Sequence, residues 1–426
     1  MLGPAEDLPT ACALAAALRD GRLTSAALVE ACLARIALRD DTVRAWAHLD
    51  PDGARAAARA ADARRTAGAV TGPLHGLPVG VKDVFDTADM PTAFGSTLHH
   101  GRRPATDAAV VARLREAGAI VLGKTATSEF GMYHPSPTRN PLDLDRSPGV
   151  SSSGSAAAVV DAMVPLGIGT QHTASTLLPA SFCGAVGFKP SFGTADMAGS
   201  NILVPRLAQL GLLARTVDDV ALVASVFDPR LALLAPPPVL RVAVVRGPGW
   251  HEVSAAAAAA FDRWLDRLPI ASTELRLPPV FERSIATVTG LLDAHMARRF
   301  GSLPEGEIAM LCAPLRSCIE RGQRLAPSTV DELDRAADAI RDAADRLFAD
   351  HDVLVTLAAL GEATRLEEGP GSGVLTMPWS LCGLPTVALP LLRGPSGLPI
   401  GVQVIAARGN DPLLLACARL FEGWRV

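Results

Sequence analysis

The chain has 426 residues, 49% of them apolar and 4% aromatic, enough to bury a large core and to exclude intrinsic disorder. A formal net charge of −4, with arginines scattered among acidic residues, gives no basic field and excludes nucleic acid as an expected partner. The seven cysteines are odd in number, dispersed and without a CxxC pair, which excludes a disulfide framework.

The N-terminal MLGPAEDLPT has neither a basic start nor an apolar run, so no secretory leader is expected and the chain is placed in the cytoplasm. Residues 8–65 are Ala-rich with apolar spacings of three and four, which predicts two or more amphipathic helices. GLPVGVKDV (76–84) then reads as a buried strand carrying Lys82 near its end. TDAAVVARLREAGA predicts a helix with Thr106 or Asp107 as N-cap and Gly118 as stop, followed by the strand IVLGKT. Strand, helix, strand implies parallel pairing under helical cover.

From Ser155, SAAAVVDAMVPLGIGT predicts a buried helix, a strand, and then a loop containing Ser175. The stretch 162–188 has no Asp, Glu, Lys or Arg, but Pro165, Gln171, His172 and Pro179 interrupt it; it suits a buried core better than a membrane span. TVDDVALVASVF (216–227) predicts a capped helix and LRVAVV (240–245) a strand. Residues 254–350 read as helices, around 254–269, 283–300, 305–321 and from 328. HDVLVT, LPTVALPLL and LPIGVQVI return to strand, the last two separated by a Gly/Pro turn.

Only three lysines, Lys82, Lys124 and Lys189, stand among the 40 basic residues, leaving 37 arginines. Arginine cannot lose its proton in a protein whereas a buried lysine can, so such a chain is expected to keep lysine where an amine is needed or a slim ammonium fits. The nine histidines show no HExxH spacing, so no metal is expected. No GxSxG elbow or SxxK pair is present, which leaves the common serine-hydrolase patterns unsupported.

Three segments carry the chemistry: GLPVGVKDV (76–84), SPGVSSSGSAAAV (147–159) and GTQHTASTLLPASFCGAVGFKPS (169–191). Together they resemble the amidase signature family, from about Gly72 to Phe227 and again over 383–422. The resemblance implies an α/β fold with a central mixed, twisted β-sheet covered by α-helices on both faces. It implies a single domain over 1–426, with N-terminal helices (1–70), a catalytic core (71–227), a variable helical region (228–372) and a C-terminal return to the sheet (373–426).

It further implies a Ser-Ser-Lys triad of Ser175 as nucleophile, Ser151 as bridging serine after a cis Val150–Ser151 peptide, and Lys82 as base. A serine hydroxyl needs a base to take its proton, and lysine is one only if burial leaves its amine neutral. Lys82, among Val79, Val81 and Val84, is suited to that. The family's oxyanion donors, backbone N–H groups leading into the nucleophile, fall on His172, Thr173, Ala174 and Ser175. Here the usual Asp-x-Gly-Gly-Ser-x-Arg has become Gln171-His172-Thr173-Ala174-Ser175-Thr176-Leu177. Thr and Ala tolerate positive φ poorly where Gly does not, and the Asp and Arg are lost together, as expected of a repacked site.

His172 reads as a substrate contact, as a second base, or as a histidine hydrogen-bonded beneath the loop. Met132, Tyr133 and Ser152 are the other candidate substrate contacts. The expected reaction is hydrolysis of a small-molecule amide without cofactor or metal. The alternatives are acyl transfer to an amine and a non-catalytic component like those of amidotransferases, and the family makes a homodimer a natural assembly.

Overall fold

The computed structural model describes residues 9–132, 135–231, 236–237 and 239–424. Its frame is a sheet of eleven strands: β1 (Trp46–Leu49), β2 (Pro78–Lys82), β3 (Ile120–Thr125), β4 (Leu166–Gln171), β5 (Val186–Lys189), β6 (Gln209–Ala214), β7 (Val242–Val244), β8 (Ser272–Glu274), β9 (Val353–Leu357), β10 (Thr386–Arg393) and β11 (Pro399–Ala406). Their spatial order is β1-β3-β2-β4-β6-β5-β10-β11-β9-β7-β8. Pairing is parallel at β2–β3, β2–β4, β7–β8 and β7–β9 and antiparallel elsewhere, so the sheet is mixed, with helices on both faces. Among the described residues no helix is long and apolar enough to cross a membrane.

Every residue of β2, β3, β4 and β6 is buried, which is why these strands are nearly continuous apolar runs instead of alternating ones. The parallel register Lys82↔Thr125 and Val81↔Ile168 sets the carboxyl ends of β2, β3 and β4 side by side. Loops leaving such ends are where open α/β sheets gather their reactive groups. The buried helix Ser153–Val160 lies across this corner. Gly154 permits the approach, since a Cβ there would stand 2.5 Å from both Ala45 O and Ala126 N.

Several local expectations change. The helix after β2 spans Ala109–Glu116, and its N-cap Ala108 makes no side-chain bond, because Asp107 instead accepts from the Ala88 amide. The helix expected over 305–321 is two, Glu305–Met310 and Ala313–Gln323. Pro314, in the first turn of the second, cannot continue the first. The strands β1 and β8 were not anticipated; each is an edge strand of three or four residues with little apolar patterning. GAIVLGKT (118–125) does carry the GxxxxGKT spacing of a phosphate-binding loop. Ile120–Thr125 is the buried strand β3, with no glycine-rich turn to cradle a phosphate.

Candidate active site

All three lysines are fully buried, and their partners separate them. Lys124 Nζ lies 3.1 Å from Asp83 Oδ1 and 2.7 Å from Thr92 Oγ1. Lys189 donates to Gln209 Oε1 at 2.8 Å and to the Leu384 carbonyl, and burial pulls it down to about 7. Among the described residues Lys82 hydrogen-bonds only to hydroxyls: Ser151 Oγ at 2.8 Å, Thr170 Oγ1 at 2.8 Å and Ser152 Oγ at 3.1 Å. Burial pushes its ammonium well below the ordinary lysine range with no carboxylate in opposition. Of the three lysines, Lys82 alone is held by hydroxyls and by no carbonyl, carboxamide or carboxylate among the described residues.

The Asp83–Lys124 pair is the charged counterexample. Burial drives each toward its neutral form, raising Asp83 and lowering Lys124, and each partly offsets this for the other. Asp83→Ala strands a buried ammonium and is expected to cost about 3–5 kcal/mol in urea unfolding, whereas Asp83→Leu with Lys124→Met restores most of it. A single-variant loss below about 1 kcal/mol would show that the pair is not holding its charges in place.

The three hydroxyls around Lys82 differ in what their protons can do. Ser152 Oγ donates to the Thr170 carbonyl at 3.2 Å, so toward Lys82 it can only accept. A neutral amine has two donors and one lone pair, leaving a place for one hydroxyl to donate into it. Ser151 and Thr170 compete for that place. Ser152, a candidate substrate contact, is thus engaged with the lysine.

The loops bearing Ser151 and Ser175 are stitched together. Ser152 N donates to Ser175 O at 3.1 Å, and Val150 packs on an apolar cluster of Ala174, Leu178, Phe182, Ala359 and Ala363. Ser175 is 5% exposed, and among the described residues its hydroxyl has no hydrogen-bond partner. No hydrogen bond thus joins Ser151 to Ser175 among the described residues, and hydrogen bonds in active sites often tighten only with substrate. The cis Val150–Ser151 peptide is not found: the bond is trans. A cis bond at a non-proline residue costs about 3–4 kcal/mol, and the trans chain already delivers Ser151 Oγ to Lys82.

The altered loop 171–177 is accommodated without strain. Neither Thr173 nor Ala174 has positive φ, so the conformation makes no demand for glycine. The Ala174 methyl is received by Gly373, where a Cβ would stand 2.1 Å from it. Gln171 Oε1 accepts from the amides of Thr176 (2.9 Å) and Leu177 (3.0 Å), capping the helix Leu177–Cys183. A neutral carboxamide thus meets the orphan amides of the helix start, and Leu177 is buried with no charge to balance.

His172 Nε2 accepts from the Leu203 amide at 3.3 Å, so the ring is neutral with its proton on Nδ1. Burial, then Lys82, Arg299 and His295, hold it down to about 3. The ring is thus tied to the backbone at Leu203. The amides of Thr173, Ala174 and Ser175 have no acceptor among the described residues. Met132 is buried, following Gly131, at which a Cβ would be 3.7 Å from Ser151 Oγ. Tyr133 lies outside the described residues.

Sequence reasoning missed Thr170, and it missed Thr376 and Ser380 at the helix Met377–Leu381. Both of the latter hydroxyls approach the Thr173 carbonyl, at 2.9 and 2.7 Å. Their spacing of four, which puts two hydroxyls on one helical face, was the available signal.

A family model described as Amidase matches residues 27–415. The chain belongs to the amidase signature family. It is 33% identical to the A component of glutamyl-tRNA(Gln) amidotransferase from Chloroflexus aggregans, over 95% of this chain and 94% of that protein. It is 32% identical to AtzE, a component of 1-carboxybiuret hydrolase from Pseudomonas sp. strain ADP, over 95% and 96%. The native peptide amidase of Stenotrophomonas maltophilia superposes with a TM-score of 0.80 at 27% identity, over 97% of this chain and 96% of that one. An amidase-family enzyme is therefore the frame for the geometry above, and the mixed eleven-stranded sheet is the family fold.

Proposed function

We propose that this chain hydrolyses a small-molecule carboxamide through an acyl-Ser175 intermediate, with Lys82 as base and Ser151 as relay. The observation carrying this reading is the buried Lys82 amine, 2.8 Å from Ser151 Oγ and without a carboxylate partner. Ser175 Oγ attacks the carbonyl carbon while its proton passes to Ser151 and that of Ser151 to the Lys82 lone pair. The tetrahedral oxyanion is met by the free amides of the 172–175 loop. On collapse the C–N bond breaks, and the proton returns through Ser151 to the leaving nitrogen, releasing ammonia or an amine. Water, deprotonated by the same route, then attacks the ester carbonyl; the bond between the acyl carbon and Ser175 Oγ breaks, Oγ takes the proton back through Ser151, and the acid leaves. Atoms balance with water as the only co-reactant.

The test is a panel of small amides, ureas and acyl-arylamides assayed for ammonia or amine release, alongside labelling of Ser175 by a fluorophosphonate ester. Release and labelling that both vanish in Ser175→Ala are expected. Labelling at another serine would overturn the assignment.

A second reading is that the acyl group passes to an amine within a larger assembly. It is favoured by the names of two relatives, which mark one as part of an amidotransferase and the other as part of a hydrolase built from more than one chain. Hydroxylamine added to the assay separates the two, since a transferase yields the hydroxamate in preference to the acid. Residues 1–426 are read as one domain, a reading supported by the single sheet that draws strands from Trp46 to Ala406.

A further inference from the structure

The proposed chemistry leaves unexplained why the helix Met377–Leu381, two hundred residues from the nucleophile, turns two hydroxyls toward one carbonyl. Ser380 Oγ donates to Thr173 O at 2.7 Å, across 207 residues of chain. Thr376 Oγ1 lies 2.9 Å from Thr173 O but equally 2.9 Å from Gly373 O, so its one proton is divided. Ser380 has no such choice. Its oxygen receives Gln171 Nε2 at 3.0 Å, and its proton is directed to Thr173. Gln171 in turn accepts the Thr176 and Leu177 amides through Oε1. Gln171, Thr376 and Ser380 are completely buried while Thr173 is half-buried, so the Gln171–Ser380 bond is the part of the relay most shielded from water.

The chain of dipoles therefore runs from the start of the helix Leu177–Cys183, through the Gln171 carboxamide and the Ser380 hydroxyl, to the Thr173–Ala174 peptide. In a planar trans peptide the N–H points opposite to the C=O. A carbonyl held against Ser380 and Thr376 therefore turns the Ala174 N–H away from that helix, and that N–H has no acceptor of its own among the described residues. Two donors on the carbonyl also polarise the amide, and hydrogen bonds in series strengthen one another.

We propose that Ser380, supported by Gln171 and Thr376, is a positioning residue that fixes and polarises the Thr173–Ala174 peptide, so that its N–H serves as an oxyanion donor. The inference rests on the reading of Ser175 as nucleophile. It explains how a loop without the family's paired glycines, Asp or Arg presents its amides: a neutral side-chain relay stands where a charge pair stood.

The test compares wild type, Ser380→Ala, Ser380→Thr, Thr376→Val and Ser175→Ala in the full chain, using the second-order rate of labelling by a fluorophosphonate ester as a function of pH. Attack at phosphorus places negative charge on the phosphoryl oxygen, so the rate reads the oxyanion site. Ser380→Ala is expected to lower the plateau rate about 30-fold, below the roughly 10²–10³-fold seen when a donor is deleted outright. The apparent pKa of the profile should not move, because Lys82 is untouched. Ser380→Thr, which keeps the hydroxyl, should recover at least half of the wild-type rate, and Thr376→Val should lose less than Ser380→Ala.

A misfolded or loosened site would instead shift the pKa along with the rate and would not be rescued by threonine, and that result overturns the proposal. A plateau unchanged in Ser380→Ala overturns it as well while leaving the nucleophile assignment intact. Labelling that persists in Ser175→Ala removes the assignment and this inference with it.

Discussion

Ser175→Ala is expected to reduce turnover of any responsive amide by about 10⁴-fold or more, the scale on which members of a serine nucleophile–base unit fail when removed. The loss should fall on kcat, with binding of the amide retained, because the missing oxygen contributes bond formation and almost no ground-state contact. The protein should fold unchanged, since the Ser175 hydroxyl has no hydrogen bond among the described residues to lose. Thermal unfolding within about 1 °C of wild type beside abolished turnover is the expected pair of measurements. Full turnover in the variant would sink the acyl-enzyme mechanism.

Lys82 carries the second large effect. Replacement by arginine puts a permanently protonated guanidinium where the mechanism needs an amine lone pair, so Lys82→Arg is expected to lose about 10³–10⁴-fold in kcat/KM, at the upper end of what general-base catalysis contributes. In the wild type, protonation of Lys82 removes the base. Activity should therefore fall as pH drops through its folded-state pKa, which burial holds well below 10.5, and should be level above it.

Stability follows the same group with a definite sign. The unfolded lysine keeps its proton up to about 10.5 and the buried one does not, so between the two values the unfolded chain binds more protons and stability rises with pH. Lys82→Met removes this contribution and should make urea-unfolding stability rise less steeply as pH approaches 10.5 from below. An arginine variant that retains turnover, or an unchanged pH slope in Lys82→Met, would show that the amine is charged.

The parts legible in the sequence were those written over short distances. GVKD, the Ser151 loop and the Ser175 loop each occupy a few consecutive residues, and the strand patterns around them followed from continuous apolar runs. The three lysines, singled out by composition alone, are all buried, and one of them stands apart by its partners. What stayed hidden depends on contacts across the sheet. Thr376 and Ser380 are ordinary residues in LTMPWS until the fold brings their helix beneath Thr173. The Gln171 cap was invisible because the resemblance marked that position as a missing acid, while a carboxamide can serve a helix start as well.

The fit between Gly373 and Ala174 restricts which substitutions this loop can accept, and in which order. A side chain at 373 would collide with the methyl of Ala174, so it is admissible only after position 174 has lost that methyl. Changing 174 first leaves an unfilled hollow beside Ser175. The two sites therefore form a ratchet: with alanine and glycine both in place, reversal toward a glycine-paired loop has to pass through a less well packed protein, whichever position moves first.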